Sequence, residues 1–350
     1  MNIKNVLLVN NMIYGQSVGS IGKGIIENFH NEENLYTLIY NKRNKSKTIE
    51  GHKLYGFYPP VTSGWFINNY FQDIIFRKFK KYAINWEKQG IVHYLNEKIK
   101  PFTLTNSTVT VHDLTPILYP YFASQEMRNF LINNLKLYSK MPVIMAISNT
   151  TKQALIDYGF DGKIMTIYNP VNKNFFPMNI GKEILRKQLG LPLDKKLVLS
   201  VSSTAPVKNL QILKPLMDNL GKNFNLVRVG VPIANSITCH NITEQTLNKL
   251  YNACDVLIMP SYYEGFGMPV LEAFSAGLPV VASNIPIFRE ICDNSAILAE
   301  INIWDFLVSI RDIINFNDEF KNKGLERAKF FSNEKFKKQI IDFYSEVQNS

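Results

Sequence analysis

Cysteine is scarce in this 350-residue chain: there are three, Cys239, Cys254 and Cys292, an odd number with no CxxC spacing. That excludes a disulfide framework and a cysteine-built zinc site, and fits a reducing, cytoplasmic compartment. Long hydrophobic runs are missing too. The longest, Val6–Val9, Val256–Pro260 and Leu278–Ala282, fall far short of the ~20 apolar residues a spanning helix needs. The opening stretch MNIKNVLLVNN has no small-residue cleavage site behind it, so it reads as a first strand and not as a signal peptide. No internal repeat at a solenoid period is present. Gly15 and Gly19 do not make a GxGxxG, and no acid follows at the distance a ribose contact would need. Those two absences set aside a dinucleotide-dependent oxidoreductase.

What is present is an ordinary globular composition, 46 % hydrophobic and 19 % charged. The length suits two α/β domains of ~150–180 residues each. The net charge of +10 is lopsided: residues 1–173 hold 20 Lys and Arg against 11 Asp and Glu, whereas residues 174–350 hold 19 against 18. A basic first half attracts an anionic partner. Nucleic acid is not expected, because no recognised binding motif accompanies the charge.

Apolar runs at Lys4–Asn10, Ile91–Tyr94, Thr108–His112 and Val143–Ile147 predict strands. Gly15 and Gly19 fall in the loop after the first of these, and a helical pattern follows over Ile21–His30. Asn41–Gly51 is polar, basic and aperiodic and reads as a surface loop, and Ser148–Tyr158 reads as a capped helix. Tyr168–Pro177 has two prolines and three asparagines without helical period, and is the linker candidate. Beyond it the chain alternates: helix at Lys182–Leu189, strand at Lys196–Val201, helix from Asn209, strand at Leu226–Gly230, helix at Thr243–Asn252, strand at Asp255–Met259. Buried strands alternating with helices imply a doubly wound parallel sheet. The expected division is residues 1–173, 174–330 and a C-terminal helix at 331–350.

The segment PSYYEGFGMPVLE, Pro260–Glu272, carries the strongest chemical signal. In a doubly wound sheet, ligands sit at the carboxyl ends of strands. Here strand DVLIMP runs into a turn with Gly265 and Gly267, then a helix with proline in its first turn. Glycines let backbone N–H groups approach a ligand, and the helix dipole adds positive potential, which suits a pyrophosphate. Glu264 precedes the turn and Glu272 lies about one turn into the helix, so one carboxylate can meet a sugar and the other a ribose.

Glu264, seven intervening residues and Glu272, within EGFGMPVLEAFSAGLPVVAS, resemble the signature of glycosyltransferase family 4. Leu250-Tyr251, Cys254-Asp255-Val256, Pro206-Val207-Lys208-Asn209-Leu210, Val109–Asp113, Ile167–Val171 and the glycine loop at Gly19 extend the likeness along the chain. The resemblance implies the GT-B fold: two Rossmann-like domains facing across a cleft, acceptor-binding first and nucleotide-sugar-binding second, with the C-terminal helix packing back on the first. It implies a retaining, metal-independent transfer from a UDP-, GDP- or other NDP-sugar to a glycan or lipid-linked acceptor, with no cofactor. Lys208 is implied to neutralise the donor diphosphate, Glu264 to hold sugar hydroxyls, and His112 to face the transferred sugar from the other domain. Gly265, Phe266, Gly267 and Met268 are implied to add backbone amides, and Glu272 to bind the ribose.

Two positions depart from the family's pattern. An upstream arginine and a basic neighbour of the lysine are common there, and this chain has Ser202 and Val207; less positive charge then meets the diphosphate. The first loop has Gly19-Ser20 where a glycine pair is frequent. The missing arginine keeps open an alternative, a catalytically silent GT-B-like partner subunit. Trp65–Lys88 is helical in period, with aromatics beside Arg77, Lys78, Lys80 and Lys81. With the basic first half, it suggests a peripheral enzyme on an anionic membrane surface, on the inner face of the cell membrane.

Overall fold

The computed structural model describes residues 5–10, 18–29, 35–39, 54–56 and 90–350. Gly15, the 41–51 loop and the aromatic segment 65–88 lie outside the described residues. The chain divides into two compact units, Met1–Pro170 with Asn333–Ser350, and Val171–Ser332.

In the first unit the described strands are β1 (Asn5–Asn10), β2 (Leu35–Ile39), β3 (Leu54–Gly56), β4 (Gly90–Tyr94), β5 (Ser107–Val111), β6 (Ile144–Ala146) and β7 (Ile164–Thr166). They form one sheet in the order β3-β2-β1-β4-β5-β6-β7, and every pairing is parallel. Every residue of β4 and β5 is buried, as a sheet covered on both faces requires. Helix α1 spans Val18–Phe29. It starts three residues before the apolar pattern that begins at Ile21, so Gly19 lies in its first turn and not in a loop. Helices α2 (Thr115–Leu118), α3 (Gln125–Tyr138) and α4 (Asn149–Asp157) follow. Ser124 and Ser148 cap α3 and α4 by accepting the N–H groups of Met127 and Thr151, which satisfies donors without intrahelical partners.

The second unit holds β8 (Lys196–Val201), β9 (Phe224–Val229), β10 (Ser236–Cys239), β11 (Val256–Met259), β12 (Val280–Ser283) and β13 (Ile297–Ala299), ordered β10-β9-β8-β11-β12-β13 and all parallel. Its helices are α5 (Lys182–Leu189), α6 (Leu213–Leu220), α7 (Glu244–Ala253), α8 (Met268–Ala276), α9 (Pro286–Cys292), α10 (Ile303–Asn315) and α11 (Asn317–Phe330). The helix expected from Asn209 begins regularly only at Leu213. Asn209 itself is left-handed (φ 52°), and two 3₁₀ turns, Pro206–Lys208 and Leu210–Ile212, occupy the connection. A left-handed residue interrupts the helical ladder, and asparagine tolerates that conformation.

Helix α12 (Asn333–Asn349) returns to the first unit. Its buried stripe is Phe336, Ile340, Phe343, Tyr344 and Val347, the spacing of an amphipathic helix. Gly24 on α1 permits this seating, since a Cβ there would lie 2.8 Å from Pro170 Cγ and 3.1 Å from Phe336 Cε1. Tyr344 Oη reaches the sheet through a 2.8 Å hydrogen bond with His93 Nδ1, and His93 Nε2 meets Thr110 Oγ1 at 2.8 Å. Among the described residues, no helix is long and apolar enough to cross a membrane.

Candidate active site

At the carboxyl ends of β8 and β11, two loops of the second unit are stitched together. Tyr262 N–H donates to Val207 O at 2.8 Å, and the buried Asn209 Nδ2 donates to Pro260 O at 3.1 Å. The left-handed turn at Asn209 is what lets its amide reach back. This pairing of loops sets Lys208 Nζ 2.7 Å from Glu264 Oε2. The other oxygen, Oε1, accepts from Ser261 Oγ at 2.9 Å. The Glu264 side chain is nearly buried and that of Lys208 is about a fifth exposed. A carboxylate offers about four acceptor sites and an ammonium three donors, so both groups keep capacity for a ligand.

The turn after Glu264 is fixed by sterics. Gly267, the N-cap of α8, has φ 94°, a conformation that L side chains adopt at a cost. A Cβ at Gly267 would also stand 2.7 Å from Phe288 Cε1. Phe266 is buried and packs edge-on against Phe331, with ring centroids 5.9 Å apart. Met268 is buried as well. No side chain caps the start of α8, so no side-chain acceptor offsets its positive dipole end. Gly265 lies between Glu264 and this turn. Four residues past Met268, Glu272 accepts a 2.8 Å hydrogen bond from Tyr251 Oη. Tyr251 is buried against Phe175, and burial followed by the Glu272 charge raises its phenol well above the usual range. It therefore stays a donor and orients Glu272.

Lys208 follows β8, whereas Glu264, Gly265–Met268 and Glu272 follow the neighbouring strand β11, and the structure pairs Lys208 with Glu264. Ser202 stands at the end of β8, its Oγ buried without a partner. His112 and Gly19 belong to the first unit. His112 follows β5 directly and is buried. Its Nε2 donates to Leu95 O at 2.8 Å, which leaves Nδ1 as the basic nitrogen, buried and unpaired. Glu97 Oε2 accepts the His112 backbone N–H at 3.0 Å.

Sequence reasoning gave no role to Ser261, Tyr251 or Glu97, which hydrogen-bond Glu264, Glu272 and the His112 backbone N–H. Ser261 could have been found three positions before Glu264, within reach across a tight turn. Glu97 stands three residues past the end of β4, between Asn96 and Lys98, so nothing in its local sequence marks it as a buried carboxylate. Tyr251 stands in the Leu250-Tyr251 pair that extends the likeness, but its role was not legible, because its hydroxyl meets Glu272 across 21 positions of chain.

Residues 181–329 match the family described as glycosyl transferases group 1. That segment is nearly the whole of the second unit. The O-antigen chain mannosyltransferase RfbU of Salmonella typhimurium is 31 % identical over 207 residues, covering 55 % of this chain and 56 % of that protein. The chain thus spans about half the length of this relative, and a quarter of the serotype-specific mannosyltransferase WbdA of Escherichia coli, 27 % identical over 51 % of this chain. Sucrose-phosphate synthase from Thermosynechococcus elongatus superposes with a TM-score of 0.81 at 17 % identity, over 99 % of each chain. Such likeness establishes the fold, which is GT-B with two Rossmann-like parallel-sheet units.

Proposed function

We propose that this chain transfers a sugar from a nucleoside-diphosphate donor to a glycan or lipid-linked acceptor, with retention of anomeric configuration and without a metal ion. One observation carries the proposal: the Lys208–Glu264 pair, 2.7 Å apart, adjoins the uncapped dipole end of α8 at the strand ends. Lys208 and the α8 amides would stabilise charge that grows on the departing diphosphate, the role a cation fills elsewhere. Glu264 would hold hydroxyls of the transferred sugar, and Glu272 the vicinal hydroxyls of the ribose. His112 would contact the transferred sugar, and Gly19 would lie near the substrate.

In this mechanism the bond from C1 to the diphosphate oxygen breaks as the acceptor oxygen bonds on the same face. The acceptor proton passes to the leaving phosphate. Glu264 acts by binding and not as a nucleophile. Two mannosyltransferase relatives make mannose the first sugar to test. The basic first half supports action at an anionic membrane surface on the cytoplasmic side, which flotation with and without anionic liposomes tests.

The test of the proposal is a panel of UDP- and GDP-sugars with a lipid-linked glycan acceptor, and NMR of the product with and without chelator. The expected product keeps the donor's configuration and forms with chelator present. An inverted product, or loss of turnover on chelation, overturns the corresponding part of the mechanism.

A further inference from the structure

The family's upstream arginine is absent at Ser202, yet a different arginine reaches that place from below. Arg228 lies on β9, in register with Ser200 on β8, and is fully buried. Its Nη1 donates to Ser200 O at 3.1 Å and Val229 O at 2.7 Å, and its Nη2 donates to Ser202 O at 2.5 Å. Nε has no partner, and among the described residues no carboxylate pairs with the guanidinium.

A buried cation without a counter-ion is costly, and carbonyl dipoles offset only part of the cost. Burial lowers its pKa to about 10, so the charge persists at neutral pH. The backbone is shaped around this clamp. Gly230 has φ 134°, and a Cβ there would lie 2.6 Å from Ser202 O and 2.8 Å from Arg228 Nη2. The clamped carbonyl begins the exposed loop Ser203–Pro206 that leads to Lys208. An uncompensated positive charge at strand ends, under a loop of exposed hydroxyls and amides, attracts an anion.

Resting on the donor-site reading above, we propose that Arg228 is a positioning residue of the donor-phosphate pocket, holding the Ser202–Lys208 loop and supplying from β9 the positive charge that the β8 loop lacks. The anion it favours is the diphosphate of a nucleotide.

The test is calorimetric titration of the full chain with UDP, GDP and the matching nucleosides, comparing wild type, Arg228→Lys and Arg228→Gln. Both substitutions lose clamp hydrogen bonds, and only glutamine loses the charge. Arg228→Gln is expected to weaken diphosphate binding by about tenfold or more while nucleoside binding changes by less than about twofold. Arg228→Lys is expected to keep diphosphate affinity within about threefold of wild type. A merely structural arginine would lower the melting temperature and leave that discrimination unmoved.

Should Arg228→Gln fail to fold, Arg228→Met removes the charge with an apolar chain that suits the buried position, and the same selective loss is expected. Diphosphate binding within about twofold of wild type in Arg228→Gln, or in Arg228→Met, overturns the inference, as does equal loss for diphosphate and nucleoside. Failure of the wild-type chain to bind any nucleoside diphosphate overturns the donor-site reading, and the inference with it.

Discussion

Replacing Gly267 by alanine tests whether the turn into α8 demands glycine for two separate reasons. The first is torsional: φ is 94°, and a left-handed L residue costs about 1–2 kcal/mol. The second is steric. The new Cβ would stand 2.7 Å from Phe288 Cε1, in a ring packed with no exposed surface, and overpacking of that kind costs about 1–3 kcal/mol. Together they predict a loss of about 2–5 kcal/mol, or roughly 5–15 °C in melting temperature for a unit of this size. Gly190→Ala is the internal control, because φ is 64° and nothing lies within 4 Å of its Cβ position. It is expected to cost only the torsional part, about 1 kcal/mol. Differential scanning calorimetry of both variants, and of Gly267→Ala in a Phe288→Leu background, separates the contributions. The clash predicts that Phe288→Leu relieves part of the Gly267→Ala loss. Equal shifts for the two glycines, or no relief, would refute the steric reasoning.

Three further outcomes follow from particular groups. Tyr251→Phe deletes the 2.8 Å bond to Glu272 without changing shape. It is expected to raise KM for the donor about 3–10-fold at nearly unchanged kcat, which corresponds to about 0.7–1.4 kcal/mol, the net range of an intramolecular hydrogen bond. Burial, then the nearby His112, lowers the pKa of His93 from 6.5 to about 3, so the unfolded chain binds the extra proton between those values. Stability should fall as pH drops from about 6.5 toward 3, by about 2 kcal/mol at pH 5, and thermal melts of His93→Gln should lack this slope. Burial opposes ionisation of Asp255, but Lys182, the Leu197 N–H and Arg186 outweigh it and hold the carboxyl below its ordinary range. That stabilisation is present above the unfolded value near 3.8 and is lost as pH falls through the folded one. Acid denaturation of Asp255→Asn, followed by circular dichroism, should therefore show a shallower loss below about pH 4.

The alternation of buried strands and helices was legible in the second unit because each strand there is a short apolar run bounded by loop residues. Lys182–Leu189 and Lys196–Val201 fall where the pattern puts them. The shift from Asn209 to Leu213 was not legible, since a single left-handed residue leaves hydrophobic periodicity intact. Edge strands β10 and β13 are short and partly exposed, so they lack the continuous apolar run that marks a buried strand. At the site, Lys208 and Glu264 could be named from their local sequence, but their ion pair spans 56 positions and depends on two loops folding onto each other. Arg228 was passed over for a related reason: within β9 it reads as an outward-facing residue, and only the register with β8 puts its guanidinium beneath Ser202.

The most direct test of the donor chemistry assigned to the second unit is turnover of a nucleotide sugar by the wild type, Lys208→Ala and Glu264→Ala. Each variant first has to show a cooperative thermal transition. Turnover is expected to fall by about 10²-fold or more in both, the loss seen when one group stabilising a developing charge is removed. Wild-type turnover in either variant would contradict the assignment of Lys208 and Glu264 to the reacting donor.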